Sequence, residues 1–336
     1  MQTIKVQPKK KTSFLPTTLL RRVLLPISQK ITEKLNSIIP EFPNFKPLEF
    51  SDKEAIEGFT KKFPPYSDFN FMSMWCWDIK DDMRISQLNG NLVVKFTDYT
   101  TGNPFYSFLG KSNVSDTAKQ LLDLSVQEGL QPVLKLLPEV SVAEMDKQSF
   151  VVEEDRDNFD YMYSVDKLKT YDGNKLRSKR NFFNRFKKNY QYSVARLDLS
   201  NPLAQEQILG LFATWQQNKK LDDAETLNEL KAFQRLFKAS DDKSLVLVGM
   251  FIDNKLVGFV MNDLLADGYA ILNFEKADEK YVGIYACLML ENAAILSQLN
   301  AQFLNFEQDL GIEGLRLGKQ SFRPVAFLKK YTIRNT

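Results

Sequence analysis

The order of predicted secondary-structure elements occurs twice along this chain, and that repetition constrains the fold more than any single motif. In the first half, three strands joined by tight turns, one of them Asn89-Gly90, form a predicted antiparallel meander over residues 83–109. A helix over residues 116–128 and an apolar strand over residues 133–137 follow. The same order returns over residues 244–306, so the sequence predicts two domains of one fold.

Helix-like stretches precede each meander and complete the two predicted units. They cover residues 56–63 and 69–77 in the first half, and residues 203–217 and 227–239 in the second. The order helices, meander, helix, strand is that of a GNAT-type acyltransferase domain. We therefore predict the α+β class, with two tandem GNAT-like domains, each a mainly antiparallel sheet flanked by helices.

Charge and periodicity set the predicted domain limits. Residues 1–45 form a basic, partly amphipathic arm, residues 46–160 the first domain, and residues 161–336 the second domain, which is expected to hold the active site. Residues 151–160 carry the acidic run Glu153-Glu154-Asp155 and show no strong periodicity. We predict that they link the two domains.

The first forty residues carry a charge of +7 within a total of +3, which leaves about −4 for the rest of the chain. Leucines flank Arg21-Arg22, and apolar residues at helical spacing follow Pro26, so this arm could lie on an anionic membrane surface. The alternative is a flexible tail whose second half docks on the body. No apolar run approaches the roughly 20 residues of a membrane helix, so we expect a cytoplasmic protein, peripheral at the inner face of the membrane if the arm binds lipid.

Histidine is absent from the sequence, which excludes imidazole bases, His-metal sites and Ser-His or Cys-His pairs. Acid–base chemistry would then fall to Asp, Glu, Lys or Tyr. Cys76 and Cys287 lie far apart among apolar and aromatic neighbours, the setting of small buried thiols in a reducing compartment. No metal site is expected.

The stretch over residues 305–324 combines an apolar strand end with three glycines and six charges. Glu307 and Asp309 would stand at the C-terminal end of that strand, where open α/β sheets bind ligands. Glycines let a backbone approach a partner closely, and cations meet anionic groups. The residues concerned are Gly311, Gly314, Gly318, Arg316 and Lys319. The alternative is a surface loop with solvated charges.

A second candidate is the basic helix predicted over residues 172–190, which has seven cations and no acid after Asp172. At helical spacing Lys179 falls within an apolar stripe. The stripe consists of Leu176, Phe183, Phe186 and Tyr190. Lys179 could reach into the cleft between the domains and hold a phosphate or carboxylate, while the outer cations meet a nucleic-acid backbone. In the alternative, the helix is solvated and Lys179 extends to its rim.

A third candidate joins a strand end at residues 273–277 to a glycine-containing loop and a helix start at residues 280–286. Free backbone amides at such a place bind anionic or carbonyl oxygens. In GNAT enzymes that use acetyl-CoA, this turn carries a Gln/Arg-x-x-Gly-x-Gly/Ala pattern. Lys280 and Gly283 fit the pattern, but Tyr285 stands where a small residue is needed, which argues against acetyl-CoA binding at this loop.

With these motifs in place, the body over residues 50–331 resembles the catalytic domain of bacterial phosphatidylglycerol lysyltransferases and their stand-alone relatives. The matching blocks are Lys-Leu-Arg-Ser-Lys-Arg-Asn at 175–181, Phe-Glu-Lys-Ala at 274–277 with Tyr281 and Gly283, and Glu-Gln-Asp-Leu-Gly-Ile-Glu-Gly-Leu-Arg at 307–316. The resemblance implies two tandem GNAT-like domains akin to the Fem-type transferases, aminoacyl-tRNA as donor, and reaction in the second domain. Asn273 departs from the pattern, because many relatives have a histidine there.

Aminoacyl transfer would give roles to the carboxylates of these motifs. The ester on a tRNA is already activated, so the reaction needs a positioned acceptor, a base for its proton, and donors for the oxyanion. Glu307 or Asp309 would be that base or would hold the α-amino group of the donor. Glu275 would recognise a cationic amino acid.

The cations would hold phosphates. Arg316 and Lys319 would bind the phosphate of a lipid head group or of the tRNA acceptor end, with Lys179 and Arg180 on the tRNA side. The substrate-binding set is completed by Asn273, Lys276, Tyr281 and Gly283. Alternatively these residues are structural, with Arg316 pairing Glu313 or Asp309.

Two other classes of function share this fold. One is an acyl-CoA-dependent N-acyltransferase, in which acyl-CoA replaces aminoacyl-tRNA as the co-substrate. The other is a non-catalytic relative that binds tRNA or an anionic phospholipid surface. No cofactor is expected beyond the co-substrate, and the sequence carries no signal for the amino acid, the acceptor or the oligomeric state.

Overall fold

The computed structural model describes residues 39–98, 101–219 and 224–336, and this part of the chain forms two seven-stranded sheets flanked by helices. The predicted α+β class with two tandem GNAT-like units is confirmed. Residues 1–38 of the predicted basic arm lie outside the described residues, so the proposed membrane contact of that arm stays a prediction.

The first sheet holds most of the strands of the first half. Its strands are β1 (Lys46–Pro47), β2 (Arg84–Leu88), β3 (Asn91–Thr97), β4 (Pro104–Leu109), β5 (Leu134–Pro138), β6 (Phe150–Glu154) and β14 (Lys330–Asn335), in the order β1-β2-β3-β4-β5-β14-β6. The helices of this half are α1 (Lys53–Thr60), α2 (Phe71–Trp77), α3 (Val114–Gln127) and α4 (Glu139–Val142). The meander, helix and strand predicted over residues 83–137 are therefore confirmed.

The second sheet repeats this arrangement. Its strands are β7 (Asp160–Ser164), β8 (Ser193–Leu197), β9 (Leu245–Ile252), β10 (Lys255–Leu264), β11 (Tyr269–Ala277), β12 (Phe303–Asn305) and β13 (Ala326–Leu328), in the order β13-β7-β12-β11-β10-β9-β8. The helices of this half are α5 (Val165–Leu168), α6 (Arg177–Asn189), α7 (Pro202–Lys219), α8 (Ala224–Phe237), α9 (Ile284–Gln298) and α10 (Glu313–Ser321). Here too the predicted meander, helix and strand are present.

Two-residue turns set the register of both meanders. Asn89 and Gly90 have φ angles of 54° and 77°, and Asp253 and Asn254 have φ angles of 49° and 60°. Positive φ at both central residues is the requirement of the hairpin turns that match strand twist, and Asn, Asp and Gly tolerate it best. The turn sequences therefore explain why neighbouring strands pair antiparallel here.

One hydrophobic cluster contains residues of both halves. Helix α2 is apolar on all sides, and it is buried between the first sheet and α8 of the second half. The ring of Trp77, at the end of α2, stacks on Phe274 of β11 with centroids 5.8 Å apart, and Phe233 of α8 packs against the same ring at 5.2 Å. Because these contacts are apolar and buried, they hold α2 against the second sheet.

A parallel strand pair opens at the centre of the second sheet. Strands β11 and β12 pair through Tyr269 with Phe303 up to Ile271 with Asn305. Beyond that point β11 stays paired with β10 through an irregularity opposite Met261, while the chain after β12 turns towards β7, where the Phe306 amide donates to the Tyr161 carbonyl. The two strands thus separate, and side chains that follow them face a common space.

A buried charge cluster fastens the last strand of the chain to both sheets. Lys330, at the start of β14, is fully buried, and its ammonium lies 2.8 Å from Asp160 of β7 and in contact with Asp68. The Ser67 amide donates to Asp160 at 2.8 Å. Burial opposes the charge on Lys330, but the two carboxylates outweigh it and raise the pKa of the ammonium. Strand β14 thereby returns the chain from the second sheet to the first, between β5 and β6.

Candidate functional site

Glu307 lies just beyond β12, where the parallel strands separate. Its backbone has a φ of 57°, and its amide donates to the Asn305 side chain at 2.7 Å, which holds the residue in this unusual conformation. Its carboxylate accepts a hydrogen bond from the Ser73 hydroxyl of α2 at 3.1 Å. Burial raises the pKa of the Glu307 carboxyl to about 8, with Lys319 opposing and the charges of Asp160 and Asp68 adding to the increase.

Ser73 connects Glu307 to β11 and was not identified from the sequence. The Asn273 side-chain amide donates to the Ser73 hydroxyl at 3.1 Å, so the three side chains form one chain of hydrogen bonds across the two halves. The buried side-chain oxygen of Asn273, Oδ1, has no hydrogen-bond partner among the described residues. Asn70 caps α2 and fixes Ser73, because the Asn70 side-chain oxygen accepts a hydrogen bond from the Ser73 amide at 2.8 Å. This capping residue was the sequence signal that could have led to Ser73.

Lys319 approaches Glu307 from α10. Its ammonium donates to the Phe306 carbonyl, one residue before Glu307. Burial lowers the pKa of Lys319 to about 8, and the neighbouring Glu307 carboxylate acts against that decrease. Burial thus raises the pKa of the Glu307 carboxyl and lowers the pKa of the Lys319 ammonium, and a pair of groups shifted towards each other in this way suits acid–base chemistry.

A second carboxylate and lysine lie on the α6 side of the same strands. Burial raises the pKa of Glu275 to about 7, against the effect of Lys179, Lys276 and Lys319, and one of its carboxylate oxygens is buried without a hydrogen-bond partner in the described structure. The Lys179 ammonium lies over the ring of Phe322, 3.6 Å from its centroid, and burial lowers its pKa to about 8. Lys179 therefore points inward from the apolar stripe of α6, towards Glu275.

Asp309 is the centre of a different cluster. It is fully buried and accepts hydrogen bonds from Arg316 at 2.7 and 3.0 Å, from Arg156 at 3.2 Å and from the Tyr161 hydroxyl. Burial opposes ionisation, but these donors outweigh it and lower the pKa of Asp309. Arg316 also pairs with Asp157 at 2.6 Å. The pairing of Arg316 with Asp309, one of the two alternatives left open by the sequence, is thus present in the structure.

The remaining predicted residues stabilise the packing around β11. Lys276 points to the opposite face, where it pairs with Glu229 at 2.6 Å and lies over Trp215. Arg180 donates to the Tyr171 carbonyl at 2.6 Å, and the Tyr281 ring packs against Tyr190 at 5.2 Å. These three side chains do not join the Glu307 and Glu275 group directly.

Gly283 allows α6 to lie against the start of α9. It has a φ of 92°, and a Cβ atom there would come within 2.6 Å of the Phe182 carbonyl oxygen. The glycine is therefore required by the approach of the α6 backbone. Phe182 and Phe186 of α6 thus lie against Gly283 at the start of α9, whereas the preceding Lys280 and Val282 are exposed.

An acidic cavity of about 250 Å³ between the two halves gives Glu307 access to a ligand. Its one lysine, Lys135, pairs with Asp98 at 2.9 Å. The other charged lining residues are Asp68, Asp78, Asp82, Asp155, Asp157 and Glu307. Asp68 pairs with Lys330, Asp157 pairs with Arg316, and Glu307 has a raised pKa, so the negative potential that favours a cationic group comes mainly from Asp78, Asp82 and Asp155.

The ranges 39–98, 101–219 and 224–336 lack two kinds of feature. No helix in them has the length and apolar character needed to cross a bilayer. They also contain no group of three Cys, Asp or Glu side chains arranged to hold a metal ion.

A family model and a curated relative match this chain. The model described as phosphatidylglycerol lysyltransferase, C-terminal, matches residues 60–334. An uncharacterized protein of Mycoplasmoides gallisepticum, MYCGA3080, is 27% identical over 184 residues, which are 55% of this chain and 58% of that protein. The chain therefore aligns with little more than half the length of that relative.

Solved structures share the fold. A conserved protein of unknown function from Bacteroides thetaiotaomicron is 26% identical with a TM-score of 0.76, covering 87% of this chain and 99% of that one. L-PGS from Bacillus licheniformis has a TM-score of 0.55 at 15% identity, over 86% and 92% of the two chains. FemX has a TM-score of 0.52 at 8% identity, over 86% and 96%. The last two show likeness of fold alone.

Proposed function

Because the chain belongs to the family of phosphatidylglycerol lysyltransferase C-terminal domains, we propose that it transfers an aminoacyl group from aminoacyl-tRNA to a hydroxyl or amine acceptor, such as a lipid head group. The observation that supports this most directly is the position of Glu307. Its carboxyl has a pKa near 8, lies at the open end of the parallel strands, and lines the cavity between the halves. A tRNA donor would place the reaction in the cytoplasm, at the inner face of the membrane if the acceptor is a lipid.

Glu307 is the proposed general base. The acceptor oxygen or nitrogen attacks the ester carbonyl carbon as its proton passes to the Glu307 carboxylate, and the bond from that carbon to the tRNA ribose oxygen then breaks. The same proton returns to the departing ribose hydroxyl, so the base is regenerated. A base whose pKa lies near the working pH serves both steps.

Ser73 and Lys319 hold the base in position and tune it. The hydrogen bond from Ser73 orients the carboxylate, and it is formed only when the two halves are packed together. The Lys319 ammonium favours the ionised form of Glu307 and supplies a positive charge where the oxyanion develops. Asp309 does not contact the reacting groups in this mechanism. Its hydrogen bonds to Arg316 and Arg156 fix the loop that follows Glu307.

The acidic cavity favours an amino acid donor over a neutral acyl group. Every aminoacyl ester carries an α-ammonium group, and a lysyl, ornithyl or arginyl ester carries a second cation. Several carboxylates around a cavity of about 250 Å³ attract such groups through their summed potential. Glu275, with a buried oxygen that has no hydrogen-bond partner in the described residues, is the proposed second contact for the cationic donor.

The exposed face of α6 is the proposed contact for the tRNA backbone. Arg177, Arg185 and Lys188 are exposed on this helix, which has no acidic residue. Backbone binding of this kind is electrostatic, so it should weaken steeply as salt is raised.

Transfer of a labelled amino acid tests the proposal. Purified protein would be incubated with tRNA charged with radiolabelled lysine, and with either phosphatidylglycerol vesicles or a soluble amine, and label in the acceptor would be measured. Thermal shifts with aminoacyl-tRNA, uncharged tRNA and acetyl-CoA identify the donor class, because a ligand that binds the folded state raises the melting temperature. We expect a shift with aminoacyl-tRNA. A shift with acetyl-CoA alone would reject the tRNA donor.

A further inference from the structure

Exposed apolar side chains are concentrated in residues 310–327, the segment that contains α10. Twelve large apolar side chains are exposed among the residues that the structure describes, and six of them belong to this segment. The six are Leu310, Ile312, Leu315, Leu317, Val325 and Phe327. A single exposed apolar side chain is normal on a protein surface, whereas a concentration of them marks an interaction site.

Helix α10 has one face bound to the body and one face open. Arg316 binds Asp309, and Lys319 donates to the Phe306 carbonyl, so these two cations hold the inner face. At about 100° per residue, two glycines lie on the opposite face with a leucine on each side of them. They are Gly314 and Gly318, between Leu315 and Leu317. A Cβ atom at either glycine would have no neighbouring atom within 4 Å, so this outer face is uncovered in the described structure.

Positive charge borders this surface at the C-terminal end of α10. Arg323, just after the helix, donates to the Lys175 carbonyl at 3.3 Å and so lies beside the segment that leads into α6. Both side chains are exposed, and neither forms an ion pair within residues 39–98, 101–219 and 224–336. Residues 169–189, which include α6, carry eight cations and one acid, Asp172. The one acid of α10, Glu313, lies at its other end.

These features fit the surface of an anionic lipid bilayer. Leucine side chains enter the boundary between lipid head groups and acyl chains, and nearby lysine and arginine side chains attract anionic head groups. A nucleic-acid backbone offers phosphates to the cations but nothing apolar to the leucines. A second copy of the chain, related by a two-fold axis at α10, would bring the two sets of cations together. The combination of leucines and cations therefore favours lipid.

We propose that segment 310–327 binds the surface of an anionic bilayer, with the leucines of α10 among the head groups and Lys175 and Arg323 at the lipid phosphates. This contact is distinct from the predicted contact of the basic arm. Because α10 also carries Lys319, which neighbours Glu307, the candidate site would lie close to the bilayer. The contact needs neither tRNA nor transfer, so its test does not depend on the proposed reaction.

Binding to vesicles tests the proposal. The full chain would be sedimented with vesicles of phosphatidylserine and phosphatidylcholine in equal amounts, and with vesicles of phosphatidylcholine alone. Phosphatidylserine supplies the negative charge without phosphatidylglycerol, so recognition of that acceptor does not contribute. We expect stronger binding to the anionic vesicles, and weaker binding as salt is raised, because salt screens the cations. Equal binding to both kinds of vesicle, or none to either, would overturn the proposal.

Two pairs of variants locate the contact. Leu317→Gln should weaken vesicle binding about tenfold, the loss expected when one leucine side chain no longer enters an apolar environment. Its control is Leu203→Gln, because Leu203 of α7 is 59% exposed and Leu317 is 60% exposed. Lys175→Gln should weaken binding about fivefold, the effect of one cation near an anionic bilayer. Its control is Lys255→Gln, at an exposed lysine of the β9–β10 turn.

The variants also separate the other possible contacts. If Leu317→Gln and Leu203→Gln bind equally, the basic arm alone holds the protein on the vesicle, and the proposal is overturned. Leu315→Gln, on the other side of the glycines, takes the place of Leu317→Gln if the latter has a lowered melting temperature. Sedimentation velocity without lipid tests for a second copy: a dimer that Leu317→Gln dissociates would assign the surface to self-association and overturn the proposal.

Discussion

The two parallel strand pairs occupy matching places in the two sheets, yet their ends differ in chemistry. In the first sheet, β4 and β5 pair only through Tyr106 and Leu134 in the described structure, and Phe108 and Leu109 at the end of β4 are buried. The next amide, of Gly110, donates to the buried Ser141 hydroxyl at 3.1 Å, which closes the end of this pair.

In the second sheet, the corresponding ends carry ionisable groups. Glu275 follows the opening on β11, Glu307 follows it after β12, and Lys179 and Lys319 lie beside them. The same backbone layout is therefore filled by apolar packing in one half and by acids and bases in the other. The fold provides the opening between the strands, and the side chains decide whether it is a core or a site.

The largest expected effect is on kcat, and it comes from replacing Glu307 of the second half, compared with replacing an exposed glutamate of the first half. Glu307→Gln should lower kcat for transfer about 100-fold or more, because the proposed base is lost while the size and hydrogen-bonding shape of the side chain are kept. The control is Glu139→Gln, an exposed residue just after β5 in the first half, which should retain full activity. Steady-state transfer assays on both variants measure the contrast. Equal activity of the two variants would remove Glu307 from the reaction.

The pH dependence gives the next largest effect. Below pH 8 the Glu307 carboxyl is mostly protonated and cannot act as the base. The rate should therefore rise with pH, by about tenfold per pH unit below pH 7. Above pH 8 Lys319 loses its charge, and the rate should fall, giving a bell-shaped profile. Initial rates from pH 6 to 9, corrected for spontaneous ester hydrolysis, provide the profile. Glu307→Gln should lack the rising limb, and a flat wild-type profile would contradict the assignment.

Asp309 should have the smallest effect on the reaction and a clear effect on stability. Asp309→Asn weakens the bonds to Arg316 and Arg156, so kcat should fall severalfold and the free energy of unfolding by about 1–3 kcal/mol. Urea denaturation and transfer assays measure the two effects. Asp157→Asn, at the exposed carboxylate that Arg316 also contacts, is the milder control. A loss in Asp309→Asn as large as in Glu307→Gln, with a changed pH profile, would make Asp309 the base.

The elements of both meanders were predictable because their turns and alternation are local signals. Asn89-Gly90 and Asp253-Asn254 mark hairpins whatever surrounds them. Strands β6 and β14 were not predicted. They pair across more than 170 residues of intervening chain, and no local pattern in residues 151–160 indicates such a partner.

The carboxylates of the site were predictable, whereas their partners were not. Glu307 and Glu275 follow apolar strands, which a sequence shows directly. Ser73 lies in a short, apolar helix of the other half, so its contact with Glu307 depends on how the halves pack. The opposite pKa shifts of Glu307 and Asp309 also depend on tertiary contacts, since burial raises the pKa of Glu307 and Arg316 helps to lower the pKa of Asp309.

Strand β14 has a consequence for the synthesis of this chain. It lies beside β6 in the first sheet, so the residues that form the second sheet are inserted between two neighbouring strands of the first. Domains usually fold in order as they leave the ribosome. Here β5 and β6 receive their common neighbour only when residues 330–335, at the very end of the sequence given, have emerged. We therefore expect the first sheet to begin folding before the second sheet and to be completed after it.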